Sequence, residues 1–123
     1  GDIGGAVTEL IVTCQTPASG GVAITRGDAL QLTGAYTVDN ANDDEDVVFG
    51  QAMADASENS VAIPVKVRGI AIFDYEGTAP TVDGQAGIFA GATDGKVKAP
   101  ATGNGVGINV KVNTSDTTVH VLL

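Results

Sequence analysis

Basic residues are scarce in this chain: six Lys and Arg stand against fifteen Asp and Glu, for a net charge of −9 over 123 residues. Such a surface repels phosphate, which excludes an ordinary nucleic-acid-binding module, whose affinity comes mostly from cations placed on the backbone. Anionic membrane surfaces are disfavoured on the same ground. There is one cysteine, Cys14, so no internal disulfide can form and the fold must stand on packing alone. Tryptophan is absent and only five residues are aromatic. The longest purely apolar runs, such as Ile70-Ala71-Ile72-Phe73, reach four residues, far short of the ~20 needed to cross a bilayer. No basic segment leads into an apolar one after Gly1, so no secretion signal is expected. The 43% hydrophobic content still exceeds what an acidic disordered tail carries, so a packed core is expected, of a size for one domain.

What the chain does contain is period-two alternation in short runs punctuated by Gly, Asp, Asn and Thr. Strands are expected at Thr8 to Thr13, Val22 to Thr25, Ala29 to Thr33, Val47 to Ala54, Ser60 to Gly69 and Ile70 to Tyr75. Ala86 to Ala90, Lys96 to Lys98, Val106 to Val112 and Thr117 to Leu122 complete the set. Val47 to Ala54 also fits a helix through Val48, Ala52 and Ala56, but Gly50 and its β-branched neighbours favour a strand. Val61, Ile63, Val65 and Val67 share one strand face, with Ala62, Pro64, Lys66 and Arg68 on the other. Pro64 cannot donate to a ladder, which predicts an edge or a bulge there. Asp94-Gly95 and Ser115-Asp116 read as hairpin turns. Strands at this spacing with no long helix predict an all-β fold, a small β-barrel or sandwich of eight to ten short strands. Residues 1–12 form a flexible N-terminal arm and first strand in this reading, and residues 13–123 the single domain.

Candidate chemistry is thin. The acidic stretch Asp39 to Asp46 offers calcium-type oxygens, but Glu45 stands where an EF-hand needs glycine and Gln51 where it needs glutamate. A solvated loop is the expected reading. His120, the only histidine, lies between Val119 and Val121 in a strand, with no nucleophile motif beside it. Cys14 reads as a small core residue. Gly103 to Gly107 resembles a phosphate loop only superficially, because a strand and not a helix follows. Arg26-Gly27-Asp28 and the sequon Asn113-Thr114-Ser115 are short enough to arise by chance. Asp74 and Glu76 could pair as catalytic carboxylates, although nearly any acidic β-domain contains such a pair. No catalytic residue, metal site or cofactor is therefore expected. Lys66/Arg68 and Lys96/Lys98 each lie two residues apart on one strand face. They serve either as solvent-exposed edge protection or as a docking face for an acidic partner.

Several pieces taken in order carry a resemblance. They are Pro17 to Val22, Arg26 to Leu30, Val48 to Ala56, Val65 to Ile70, Asp94 to Val97 and Thr117 to Leu122. Their succession resembles the small capsid-decoration, or cement, proteins of tailed bacteriophages, over roughly Thr13 to Leu122. Tyr36 to Asp46 looks like an insertion relative to that pattern. The resemblance implies a compact β-domain without enzymatic activity, sitting on the outer surface of the expanded capsid after assembly in the host cytoplasm. The partner would be the phage major capsid protein, with the chain itself a homo-oligomer, a trimer before a dimer. Contact candidates are Ile3, Val7 and Leu10 on the N-terminal arm, which would add a strand to a capsid edge, and the cations Lys66, Arg68, Lys96 and Lys98. The rival expectation is a β-sandwich carbohydrate-binding or adhesion module. Against it, no two of Tyr36, Phe49, Phe73, Tyr75 and Phe89 are adjacent to form a sugar platform.

Overall fold

Two β-cores share a wall in this molecule. The computed structural model describes residues 8–82 and 87–123. These carry ten strands and, among the described residues, no helix: β1 (Leu10–Gln15), β2 (Ala29–Gly34), β3 (Thr37–Asn40), β4 (Gly50–Ala52), β5 (Ala62–Arg68), β6 (Ile70–Asp74), β7 (Phe89–Ala90), β8 (Val97–Lys98), β9 (Ile108–Asn113) and β10 (Thr118–Leu122). Five strands close a barrel in the order β1-β3-β2-β4-β5. A second sheet has the order β6-β10-β9, and β7 pairs with β8 as a short ribbon. The fold is all-β, as the alternation predicts.

The barrel encloses Cys14, Leu30, Val38, Ile63, Val65 and neighbours. The second core gathers Phe73, Tyr75, Ile88, Val97, Val119 and Val121 against Ala29 and Val48. Ala29 and Leu30 are consecutive in β2, so their side chains leave on opposite faces; one enters each core. β5 behaves as its alternation predicts, with Ile63, Val65 and Val67 inward. One residue, Gly69, separates β5 from β6. Its φ of 114° turns the chain out of the barrel into the second sheet, a conformation that any side chain would strain.

β5 is an interior strand, flanked by β1 and β4, which corrects the edge or bulge expected at Pro64: Pro64 pairs in register with Thr13, and the β1–β5 register shift lies between Leu10 and Ile11. Met53 N donates to the Pro64 carbonyl (3.0 Å), but Pro64 has no N–H to return the bond. The β4–β5 ladder ends there, at the Ala52–Val65 pair. At the other end of β4, a Cβ on Gly50 would lie 2.5 Å from the Lys66 carbonyl oxygen and 2.7 Å from Val65 Cγ1. A glycine is needed for the strands to approach this closely.

Several sequence boundaries move. β1 pairs with β5 along its whole length, from Leu10–Arg68 to Gln15–Ala62, so the strand straddles residue 12 and belongs to the domain; residues 1–7 of the expected arm lie outside the described residues. Val22 to Thr25 contributes only an Ile24–Ala56 bridge. Val47 to Ala54 shrinks to three strand residues. The acidic stretch is not a solvated loop throughout. Asp39 and Asn40 belong to β3, Ala41 is fully buried, and Gly95 N donates to the Ala41 carbonyl (3.1 Å). The segment expected to be an insertion therefore supplies a barrel strand.

Candidate interaction surface

The four cations singled out by spacing are not brought together as one exposed face. Lys66 is buried, at 8% exposure. Its Nζ lies 2.8 Å from Glu9 Oε1 and donates to the Ile70 carbonyl at 3.0 Å. The neighbouring Gln51, opposite Lys66 across the β4–β5 ladder, donates from Nε2 to the Ile72 carbonyl (2.7 Å) and to the Gly27 carbonyl (3.2 Å). Two barrel side chains thus satisfy carbonyls along the edge of β6 that faces away from β10. The expectation that Lys66 is a free surface cation is corrected: its ammonium joins barrel to sheet. Lys66→Met keeps most of the aliphatic stem and removes the charge. It should cost about 1–3 kcal/mol by leaving a carbonyl and a carboxylate unpaired. Urea denaturation measures this, and a variant as stable as the parent would show the bond to be idle.

Lys98 is also engaged. Its Nζ lies 3.1 Å from Asp44 Oδ1 and 3.7 Å from Glu45 Oε1, and the hydrogen bond to Asp44 holds the ammonium above the ordinary lysine range. Glu45 Oε1 also accepts from Ala101 N (2.7 Å), so this lysine and this loop are pinned to each other. Arg68 is exposed and donates to the adjacent Val67 carbonyl (2.7 Å). Lys96 is half-buried beside the Asp94-Gly95 turn, which its own N–H closes onto the Thr93 carbonyl (3.1 Å). Leu10 is exposed; Ile3 and Val7 lie outside the described residues.

No catalytic constellation emerges from the remaining candidates. Glu76 Oε1 accepts from Thr93 N (2.9 Å) and Oε2 from Thr93 Oγ1 (3.0 Å); the backbone bond is the main cause holding its carboxyl below the usual range. It acts as a loop staple, with Asp74 exposed in β6. Asp28 is shifted the other way, by burial first, then by the nearby Asp74, Asp94 and Asp55 charges, against the lowering bond from Thr25 N. Burial also raises the Cys14 thiol, leaving it a poor nucleophile at neutral pH. His120 is half-buried opposite Ile72 and Lys111. Among the described residues, no group of three or more His, Cys, Asp or Glu is arranged to hold a metal ion.

Exposed apolar side chains are the distinctive surface feature. β4 has only three residues. An open groove of about 470 Å³ next to its start is lined by Leu10, Leu32, Val47, Phe49, Val67 and Leu123, with Arg68, Gln31 and Asp46 also contributing. Leu10, Leu32 and Val47 each leave at least half their surface in water there. The outer face of the second sheet presents Ile72, Ile108 and Leu122, all exposed; β10 carries His120 and Leu122 on that face, opposite Ile72 and Ile108. Of these apolar side chains the sequence singles out only Leu10 as a contact; the rest of the groove, and Ile72 against the β9–β10 hairpin, come together from distant parts of the chain. No known family model matches the chain, and no curated protein matches it by sequence.

Proposed function

We propose that this protein is a structural virion component that docks on the outer surface of an expanded phage capsid and ties neighbouring major capsid protein subunits together. The observation that carries the proposal is the concentration of exposed aliphatic side chains in two places, the groove and the outer face of β6-β10-β9, on a strongly acidic molecule. Clustered exposed apolar side chains of this kind mark an interaction site. The ordered resemblance to cement proteins supplies the partner. A protein that binds only the mature shell stabilises that shell by mass action, and many modest contacts on one particle sum to a large resistance against rupture. Neither step needs a catalytic residue. Apolar contact takes over the role first assigned to Lys66 and Lys98, whose charges are already satisfied within the chain.

Co-sedimentation with mature, emptied heads and with unexpanded precursor heads tests this. The parent chain should bind the mature heads saturably and the precursor heads poorly. Val47→Asp in the groove and Ile72→Asp on the sheet face should each weaken binding tenfold or more, since a buried anchor is worth about 2 kcal/mol or more. Both positions are exposed, so the fold should survive. Binding to neither particle would overturn the proposal.

A further inference from the structure

Tyr36 stands in the turn between β2 and β3 with 75% of its surface exposed and a φ of 51°. Glycine or asparagine would occupy that left-handed conformation with less strain, yet the chain holds an aromatic ring there. Ser60 adopts φ 54° and lines the same open depression, about 530 Å³ in volume, at that end of the barrel. Thr13 and Gln15 supply further polar lining, with Ala35 and Ala62 as small apolar elements and Cys14 behind them as a buried neutral thiol. Gln15 is held in place: its Nε2 donates to Thr37 Oγ1 (3.2 Å) and its backbone N–H to the Tyr36 carbonyl (2.8 Å).

The chemistry of the lining selects its ligand. No carboxylate, ammonium, guanidinium or imidazole borders this depression, although fifteen acids and six bases are distributed over the chain. An anion or a cation would meet no counter-charge. A peptide strand would find no free donor at Gln15, whose N–H already pairs across β1 and β3. Hydroxyl and amide groups around an exposed aromatic ring match a neutral saccharide, which offers a C–H face to stack on the ring and hydroxyls to Thr, Ser and Gln side chains. We propose that this depression binds a neutral saccharide unit stacked on Tyr36. The site is separate from the groove and the β6-β10-β9 face, and the proposal stands or falls independently of capsid docking.

The test uses the purified full chain and neutral sugars: glucose, galactose, mannose, N-acetylglucosamine, N-acetylgalactosamine and their short oligomers. Each is titrated to on the order of 10 mM, because ligands with few atoms bind in the millimolar range. At least one should shift the amide resonances of Gln15, Tyr36 and Ser60 saturably. Tyr36→Phe should retain binding, and Tyr36→Gly should weaken it at least tenfold. Glycine suits the backbone at this position, so the glycine variant should melt within about 5 °C of the parent. Failure of every neutral sugar to move those resonances would overturn the proposal, as would binding confined to charged sugars. Undiminished binding by the folded Tyr36→Gly variant would overturn it too.

Discussion

Phe73→Ala is expected to remove roughly 3–5 kcal/mol of unfolding free energy, the range for deleting a buried aromatic side chain. Phe73, near the end of β6, is the largest fully buried side chain among the described residues, at 0% exposure. It packs in the core built from Tyr75, Ile88, Val97, Val119 and Val121. The neighbours come from β8, β10 and the residues just after β6 and just before β7, and their backbones are held by ladder bonds and bridges, so they cannot collapse into the vacated space. Domains of this size have about 5–15 kcal/mol in total, so about a fifth or more of the stability rests on one ring. Equilibrium urea denaturation with an unchanged m-value measures the loss. A loss under about 1.5 kcal/mol would mean that the second core relaxes around the cavity and is packed more loosely than its burial implies.

Leu30→Ala should cost about 2–5 kcal/mol by the same mechanism, but in the other core. Leu30 is fully buried inside the barrel and lies between Asn40 of β3 and Gly50 of β4. Its effect should not stay in the barrel. β2 is the wall between the cores, with Ala29 on one side and Leu30 on the other, and Gln51 and Lys66 bond the barrel to the β6 edge. Either variant should therefore unfold in one transition, with probes in the two cores giving the same midpoint. Two separated transitions after Leu30→Ala would show the sheet to be an independent folding unit.

What was legible in the sequence was local. β10 alternates cleanly, β5 keeps Ile63, Val65 and Val67 inward, and the Asp94-Gly95 and Ser115-Asp116 turns fall where their residues put them, the first with Gly95 at φ 76°, whereas β9 inverts its pattern, with Asn109 buried and Ile108 and Val110 exposed. β3 was hidden because Asp39 and Asn40 have low strand propensity; pairing with β2 overrides it, and Asn40 Nδ2 donates to the Ala23 carbonyl (2.8 Å). Lys66 illustrates the harder limit. Its alternation with Arg68 gives the right strand face, but burial of that face depends on β6 and Gln51 arriving from elsewhere. The apolar groove was invisible for the same reason, since Leu10, Leu32, Val47 and Leu123 meet only after the barrel has closed. Only spatial assembly separates a paired cation from a free one, or an uncovered leucine from a core leucine.

The full-length antiparallel pairing of β1 with β5 also sets an order of events on the ribosome. The partner for the whole length of β1, up to Arg68 opposite Leu10, emerges roughly 50 residues later than Gln15, a delay of roughly 3–10 s at synthesis rates of about 5–20 residues per second. Throughout that interval Leu10, Ile11 and Val12 are a short aliphatic strand without their antiparallel ladder. A nascent chain of this kind keeps an unpaired hydrophobic strand open to chaperones until the fifth strand arrives to pair with it, and Leu10 and Ile11 stay exposed even then.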